Sequence, residues 1–147
     1  MSDYSELIKR MPYGKNFLFI DEISYVDSNI IKGNFTFKKD LFFYDSHFIN
    51  NPLVPGVIVT ECMGQIGMVA HLLFFNRDSA IKLVPVLSNM EVTFFKEVKF
   101  ESLYYVIGEK QYYRNNTLKS KVIMENVDGE IVAGLTANIM LQVRSTE

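Results

Sequence analysis

The residue most informative about chemistry is Glu61, a carboxylate inside the otherwise apolar run 56–75, GVIVTECMGQIGMVAHLLFF. Burying an ionised side chain without a partner is costly, so a carboxyl group in such a run indicates a candidate general acid. Gln65 follows four residues later on the same helix face, where its amide can hydrogen-bond the carboxyl group and hold its rotamer. The alternative interpretation is that the helix merely reaches the surface at Glu61 or is capped by it in its first turn.

His47 is the second candidate, in the extended loop 44–56, YDSHFINNPLVPG, which leads directly into this run. A histidine titrates near neutral pH and suits proton transfer, although a histidine in a loop is by itself more often structural. The helix start that follows Pro55, at Gly56, supplies free backbone N–H groups at the positive end of the helix dipole. Gly56 has no side chain to prevent close approach by a carbonyl oxygen. A base, an acid and an oxyanion site together would form an elimination centre.

A long helix over 56–75 must position these groups, beginning after Pro55. Apolar residues occur on nearly every side of it, which is typical of a helix buried in a protein core or in a membrane. Glu61, Gln65 and His71 interrupt the run, and a charged residue at a bilayer centre costs about 2.5–3.5 kcal/mol on insertion scales. We therefore expect a core helix and no membrane span.

Strand-like runs rich in β-branched and aromatic residues lie on both sides of the helix. Turn residues separate them, including Asp27-Ser28-Asn29 and Asp128-Gly129, the second a strong signal for a two-residue hairpin. Part of the sheet is expected to be covered on both faces, and the helix is the element that would cover it. The strands are predicted at 17–26, 30–38, 84–98, 102–113, 117–127 and 130–143, the first two as a hairpin and the last four as a meander.

The composition limits the classes of function. A chain of 147 residues, 48% of them hydrophobic, is expected to form a single domain over 1–147. With 15 Lys and Arg against 17 Asp and Glu, and no basic run among aromatics, nucleic acid is not an expected partner. Cys62 has no disulfide partner, and one Cys with two His gives no metal-ligand spacing, so no metal is expected. The first residues lack a signal-peptide apolar region, which predicts a reducing, cytoplasmic compartment.

The segment from His47 to Gln65 resembles the β-hydroxyacyl-acyl carrier protein dehydratases of dissociated fatty-acid synthesis. In that family a loop G-H-F-P-G-x-P-x-x-P-G-V precedes a helix with E-A-x-A-Q, and the spacing matches throughout. Residues 11–23, MPYGKNFLFIDEI, look like the family's L-P-H-R-x-P-F-L-L-V-D-R-V, and residues 94–96, FFK, look like its R-F-K. The matching loop and helix residues are His47, Phe48, Pro52, Pro55, Gly56, Val57, Glu61 and Gln65.

The resemblance implies an α+β hot-dog fold, with one long helix wrapped by an antiparallel sheet, in a double hot-dog dimer. It implies syn elimination of water from a 3-hydroxyacyl thioester carried on acyl carrier protein, giving a trans-2-enoyl thioester. His47 would be the base that removes the C2 proton, and protonated Glu61 the acid that gives a proton to the departing C3 hydroxyl. Contacts to the thioester or substrate are assigned to Gly56, Val57 and Phe48, and support of the acid to Gln65.

The resemblance also implies the partners. No metal or redox cofactor is expected, because the thioester already acidifies C2 and the phosphopantetheine arm arrives with the acyl carrier protein. The chain is expected to form a homodimer, or a higher oligomer or heterodimer with a related dehydratase. In the dimer, His47 of one chain would meet Glu61 of the other. Carrier proteins are acidic in these families, so basic residues are candidates for docking: Lys96, Lys99, Arg77 and Lys82.

The chain departs from the family motif in ways that leave its substrate open. Ser46 replaces a glycine, Ile49-Asn50-Asn51 replaces the Pro-Gly that shapes the loop, and Tyr13-Gly14-Lys15-Asn16 replaces His-Arg-x-Pro. Primary fatty-acid synthesis and a specialised route such as polyene synthesis are equally compatible. Two other functions also remain open: a hot-dog thioesterase, for which His47 would be dispensable, and a non-catalytic partner subunit. His71 and Cys62 are expected to be packed residues outside the site.

Overall fold

A computed structural model describes residues 4–79 and 83–143. In it a six-stranded antiparallel sheet packs around one long helix, which confirms the predicted hot-dog fold. A short helix α1, which the sequence did not predict, and a single 3₁₀ turn precede the first strand. The elements are α1 (Ser5–Lys9), the 3₁₀ turn (Lys15–Phe17), β1 (Glu22–Val26), β2 (Ile30–Thr36), α2 (Gly56–Phe75), β3 (Leu83–Phe94), β4 (Leu103–Arg114), β5 (Thr117–Glu125) and β6 (Ile131–Val143).

The helix α2 has the predicted bounds. It ends where the side-chain amide of Asn76 donates to the carbonyl oxygen of Leu72 at 2.9 Å. Its middle part, Gln65–Val69, is a π-helical turn that the sequence did not reveal. By length and composition α2 is apolar enough to cross a membrane, but most of it is buried inside the protein, as a core helix would be.

Three glycines allow the helix to lie directly against the sheet. A Cβ atom at Gly108 in β4 would lie 2.3 Å from the carbonyl oxygen of Gly67 in α2. A Cβ at Gly67 would meet the side chain of Val122 in β5 at 2.6 Å, and one at Gly33 in β2 would meet Ile66 at 2.7 Å. These distances are too short for any side chain, so the backbone of α2 is fixed close to the centre of the sheet.

The strand order β1-β2-β4-β5-β6-β3 corrects the predicted meander of the last four strands. Only β4, β5 and β6 form one, through the predicted turns at Asn115-Asn116, both with positive φ, and at Asp128-Gly129. The second turn is longer than the predicted two-residue hairpin, because the N–H of Asn126 donates to the carbonyl oxygen of Glu130 and leaves three residues, 127–129, between the bonded pair. β3 pairs with β6 instead of β4, because β2 already occupies the other edge of β4. The segment between β3 and β4 therefore carries the chain across the sheet, and β3 lies at an edge.

The first strand is shorter than predicted, and β1 begins at Glu22 instead of residue 17. The backbone carbonyl of Phe17 and the backbone N–H of Phe19 are hydrogen-bonded to the side chain of Gln65 on α2 and not to a neighbouring strand. The buried side chain of Gln65 thus forms the hydrogen bonds with these backbone groups that a neighbouring strand would otherwise have formed. The other predicted strands are correct to within a few residues, and the largest difference is at β3, which ends at Phe94.

Candidate active site

The start of α2 offers unpaired backbone donors, as the sequence suggested. The N–H groups of Ile58 and Val59 both donate to the carbonyl oxygen of Pro55 at 3.0 Å. Within the described residues, the N–H groups of Gly56 and Val57 have no protein acceptor. Pro55 is buried and the side chain of Val57 is 77% exposed, so the first turn emerges from the core at this point. These two N–H groups lie at the positive end of the helix dipole and can receive a carbonyl oxygen.

Gln65 holds Glu61 as predicted, and its own orientation is fixed by the backbone. Its side-chain oxygen accepts from the N–H of Phe19 at 2.8 Å, and its amide nitrogen donates to the carbonyl of Phe17 at 2.9 Å. Because one partner can only donate and the other can only accept, the amide cannot be reversed. The same nitrogen donates to Oε2 of Glu61 at 3.0 Å. A protonated Glu61 in this geometry would therefore carry its proton on Oε1.

Glu61 faces a cavity of about 670 Å³, called here the larger cavity, between α2 and the inner face of β3. Glu61 itself is half-buried, whereas Gln65 behind it is completely buried. A mostly apolar cavity with a few polar groups is typical of a small-molecule binding site. Its walls include Tyr13, Val57, Thr60, Met90, Val92 and Phe94.

His47 is held by the backbone of its loop. Its Nδ1 lies 3.1 Å from the carbonyl oxygen of Leu53, and its own carbonyl accepts from the N–H of Leu53 at 2.7 Å. A carbonyl oxygen can only accept, so in the neutral imidazole Nδ1 carries the hydrogen and Nε2 has the free lone pair. The arrangement suits a base that uses Nε2. His47 lines a second cavity of about 350 Å³, called here the smaller cavity, together with Gly56 and Phe94.

His47 and Glu61 of one chain line different cavities. The two cavities share Gly56 and Phe94, and the Phe94 ring covers Gly56, with ring atoms 3.1–3.5 Å from the position of a Cβ. The expected base and acid are therefore near the same helix start but are not brought into one space within a single chain.

Val57 and Phe48, both predicted to contact the substrate, lie in different places relative to the cavities. Val57 lines the larger cavity. Phe48 lines neither the larger nor the smaller cavity. Its ring stacks on His47 with centroids 4.0 Å apart, and its side chain is 53% exposed. The structure therefore places Phe48 against the imidazole, where it can fix the orientation of the ring.

Tyr13 is a residue of the larger cavity that the sequence interpretation missed. It is half-buried, and burial, with a smaller contribution from the negative charge of Glu61, raises the pKa of its phenol well above the usual value. The available signal was the departure from the family motif, in which this position is a histidine. The motif comparison by itself gives no role to the new side chain.

Cys62 and His71 are packed residues outside the site, as expected. The Cys62 thiol donates to the carbonyl oxygen of Phe19 at 3.3 Å, and burial raises its pKa. His71 is completely buried, with Nε2 2.8 Å from the carbonyl oxygen of Asp27. Burial lowers the pKa of His71, so the neutral form is favoured.

The four basic residues predicted to bind the acyl carrier protein differ in their surroundings. Lys96 lines the smaller cavity but pairs with Glu130, and this contact lowers the pKa of the Glu130 carboxyl. Lys99 is exposed nearby. Arg77 lies over the Phe74 ring beyond the far end of α2, roughly 30 Å from Gly56 along a helix of 20 residues. Lys82 lies outside the described residues.

Comparison with solved structures supports the fold. The chain superposes on the dehydratase heterocomplex ApeI:P from Xenorhabdus doucetiae with a TM-score of 0.78 at 11% identity, covering 92% of this chain and 90% of that one. It superposes on a hypothetical thioesterase with coenzyme A from Streptococcus pneumoniae with a TM-score of 0.64 at 14% identity, covering 85% of this chain and 88% of that one. At these identities the similarity shows a common fold only.

Sequence relatives give the family. A 3-hydroxyacyl-[acyl-carrier-protein] dehydratase FabZ of Caldicellulosiruptor bescii is 28% identical over 135 residues, covering 90% of this chain and 93% of the relative. A FabZ of Caldicellulosiruptor saccharolyticus is 30% identical over 101 residues, covering 67% of this chain and 69% of the relative. Residues 11–136 match the family model described as the FabA-like domain. This protein therefore belongs to the FabA-like family of hot-dog proteins, and its sequence relatives there include FabZ dehydratases.

Proposed function

We propose that this protein is a 3-hydroxyacyl-[acyl carrier protein] dehydratase. The observation that carries the proposal is the fixed amide of Gln65, which occupies Oε2 of Glu61 and leaves Oε1 for the apolar larger cavity. A carboxyl group held in this way is oriented to give one proton to one oxygen of a bound chain. The similarity to FabZ dehydratases supports the same reaction.

The reaction is a syn elimination. Nε2 of His47 removes the C2 proton, while the N–H groups of Gly56 and Val57 stabilise negative charge on the thioester oxygen. Oε1 of Glu61 gives its proton to the C3 hydroxyl, which leaves as water as the C2–C3 double bond forms. The base must be neutral and the acid protonated, so the rate should follow a bell-shaped pH profile. The acyl group arrives on the phosphopantetheine arm of acyl carrier protein and needs no further cofactor.

We propose that a complete site needs two chains, because His47 and Glu61 of one chain line different cavities. β3 is an edge strand, and within the described part of the chain no strand pairs with its outer edge. Four apolar side chains that line the larger cavity beside this edge are exposed: Val57 by 77%, Leu87 by 51%, Phe94 by 47% and Met90 by 37%. A second copy that pairs its own β3 here would extend the sheet, cover these apolar groups and form two equivalent sites.

Mixing two inactive proteins tests the shared site. Homodimers of His47→Ala and of Glu61→Gln are allowed to exchange subunits, and exchange is confirmed by mass. One site of each mixed dimer then pairs the intact His47 with the intact Glu61. With random exchange about half of the dimers are mixed and about a quarter of all sites should regain activity. Activity that stays at background after exchange would show that both residues act within one chain.

The reaction itself is tested with 3-hydroxyacyl carrier proteins of several chain lengths and mass analysis of the products. Dehydration removes 18 Da and leaves the thioester intact, whereas a thioesterase releases free carrier. Hydrolysis that continues in His47→Ala would replace the dehydratase proposal by the thioesterase alternative. The same series shows which acyl lengths are accepted, and polyunsaturated substrates in the series test the polyene route.

The similarity to a heterocomplex of dehydratase subunits favours one alternative, a partner subunit in a heterodimer. In that case the chain alone would have no turnover but would bind a related dehydratase in preference to itself. The exposed edge of β3 serves either arrangement, because a related hot-dog chain would present a similar edge. Turnover by the purified chain alone, together with a homodimeric mass, would exclude this alternative.

A further inference from the structure

The larger cavity is lined by a residue that neither the family motif nor the proposed elimination uses, Tyr13, whose side chain ends in a hydroxyl. Most of the lining residues are apolar, and those whose side chains carry an oxygen are Tyr13, Thr60 and Glu61. A few convergent polar groups in an apolar space usually determine how a ligand is oriented. The hydrogen-bonding capacity that each of the three has left therefore indicates what kind of ligand fits.

Two of the three groups are partly committed to protein partners. The hydroxyl of Thr60 donates its hydrogen to the carbonyl oxygen of Gly56 at 2.8 Å, so it has only acceptor capacity for a ligand. Oε2 of Glu61 accepts from Gln65 at 3.0 Å. The Tyr13 hydroxyl has no hydrogen-bond partner among the described residues. It is thus a donor that is free to act on a molecule in the cavity.

Packing holds Tyr13 beside Glu61. Its ring packs against the hydrophobic core and lies 6.3 Å, centroid to centroid, from the ring of Phe17. Phe17 is in turn the residue whose carbonyl accepts from Gln65, so Tyr13 and Glu61 are positioned by the same short segment. Burial and the nearby carboxylate raise the phenol pKa, so the hydroxyl keeps its proton at neutral and moderately alkaline pH.

We propose that the Tyr13 hydroxyl donates a hydrogen bond to the C3 oxygen of the bound acyl chain, so that the site selects 3-hydroxyacyl groups over saturated acyl groups. This inference rests on the proposed dehydratase function and names a substrate-binding residue for it. Tyr13 keeps its proton throughout, and the proton that leaves with water comes from Glu61. The saturated chain has no oxygen to accept from Tyr13, so its binding leaves the hydroxyl unpaired in an apolar space.

Binding to inactive dimers tests the selection without turnover. In the His47→Ala background, affinities are measured for the pantetheine amides of 3-hydroxybutyrate and butyrate, and of 3-hydroxyoctanoate and octanoate. We expect a preference of about tenfold for the 3-hydroxy compound of a pair, as one buried hydrogen bond provides. Adding Tyr13→Phe should remove most of this preference, leaving only the part that Glu61 contributes, and should not weaken binding of the saturated compound, because no hydroxyl is then left unpaired. An unchanged preference would overturn the inference.

Two further variants distinguish the effect of the Tyr13 hydroxyl from that of its ring. Tyr25→Phe, in the same background, removes a hydroxyl that bonds to Asp27 on the exposed face of β1, and it should leave the preference intact. Tyr13→His restores a donor to the same position and should recover part of the preference. A loss of thermal stability in Tyr13→Phe with equal weakening of both ligands would show a structural role only, and would also overturn the inference.

The binding and turnover results can fail independently. If the wild-type chain dehydrates substrate and Tyr13→Phe does not change the ligand preference, only the inference about Tyr13 is wrong. If the wild-type chain dehydrates nothing, but the preference exists and depends on Tyr13, the inference stands and the proposed reaction is wrong.

Discussion

The two halves of α2 each carry a polar residue in an apolar run, but the structure treats them differently. In the N-terminal half, Glu61 is half-buried and faces the larger cavity, and only one of its oxygens is held, by Gln65. In the C-terminal half, His71 is completely buried, bonded to the carbonyl of Asp27, and stacked on Phe75 with ring centroids 4.5 Å apart. The same signal in the sequence thus marks a group that faces a cavity in one half of α2 and a packed group in the other.

The difference teaches what a polar residue in a core helix needs in order to act on a ligand. It needs an unused hydrogen-bonding atom and empty space beside that atom. Glu61 has both, because its Oε1 has no hydrogen-bond partner among the described residues and Glu61 lines the larger cavity. Nδ1 of His71 is also without a partner among the described residues, but it is buried and so no substrate can reach it.

The largest expected effect is on turnover, and it should be confined to the N-terminal half and its loop. Glu61→Gln and His47→Ala should each lower kcat by about 10²–10⁴, the usual contribution of a positioned acid or base. His71→Met, which keeps a similar volume, should change kcat by less than about twofold, because His71 lines neither the larger nor the smaller cavity. Steady-state kinetics of the three variants test this, and a large loss in His71→Met would break the comparison.

The second prediction concerns stability in the N-terminal half. Gln65→Leu leaves the carbonyl of Phe17 and the N–H of Phe19 buried without partners. Each unpaired group should cost about 1–3 kcal/mol of the free energy of unfolding. Glu61→Gln retains the shape and the contact with Gln65 and should cost much less. Urea unfolding of both variants measures the difference, and equal stabilities would contradict the positioning role given to Gln65.

The third prediction concerns pH and the C-terminal half. Burial lowers the pKa of His71 in the folded protein, opposed in part by its bond to Asp27, while the positive charge of Lys110 lowers it further. The unfolded chain then binds more protons than the folded chain below about pH 6.5, and stability falls as pH decreases, by at most about 1.4 kcal/mol per pH unit. Unfolding of wild type and His71→Met between pH 7.5 and 5.5 should show a shallower slope for the variant.

The smallest expected effect is on carrier docking. Lys99 is exposed and follows Val98, whose carbonyl oxygen accepts from the N–H of Val54 just before α2, whereas Arg77 lies beyond the other end of α2, over the Phe74 ring. Lys99→Gln should raise the KM for a carrier-bound substrate by a few fold at low salt, about 1 kcal/mol or less, and Arg77→Gln should not. The KM of wild type should also rise with salt. A KM that does not depend on salt would exclude electrostatic docking by either group.

The sequence was sufficient for the main elements because periodicity and turn chemistry are local. The apolar run after Pro55 predicted α2 with its correct ends. Asp128-Gly129 predicted a turn that Asn126 stabilises by accepting from two backbone N–H groups. The spacing of Glu61 and Gln65 predicted their hydrogen bond, because residues four apart share a helix face.

Only the tertiary structure decided the features that depend on distant parts of the chain. The side chain of Gln65 bonds to backbone groups that were predicted to belong to the first strand, so β1 is shorter than predicted. Because both edges of β4 are paired with other strands, β3 lies at the edge of the sheet. The placement of Tyr13 beside Glu61 brings together residues 48 positions apart in the sequence, which no local pattern records. Local spacing thus determined which groups could react, and the packing of distant segments determined which of them face empty space.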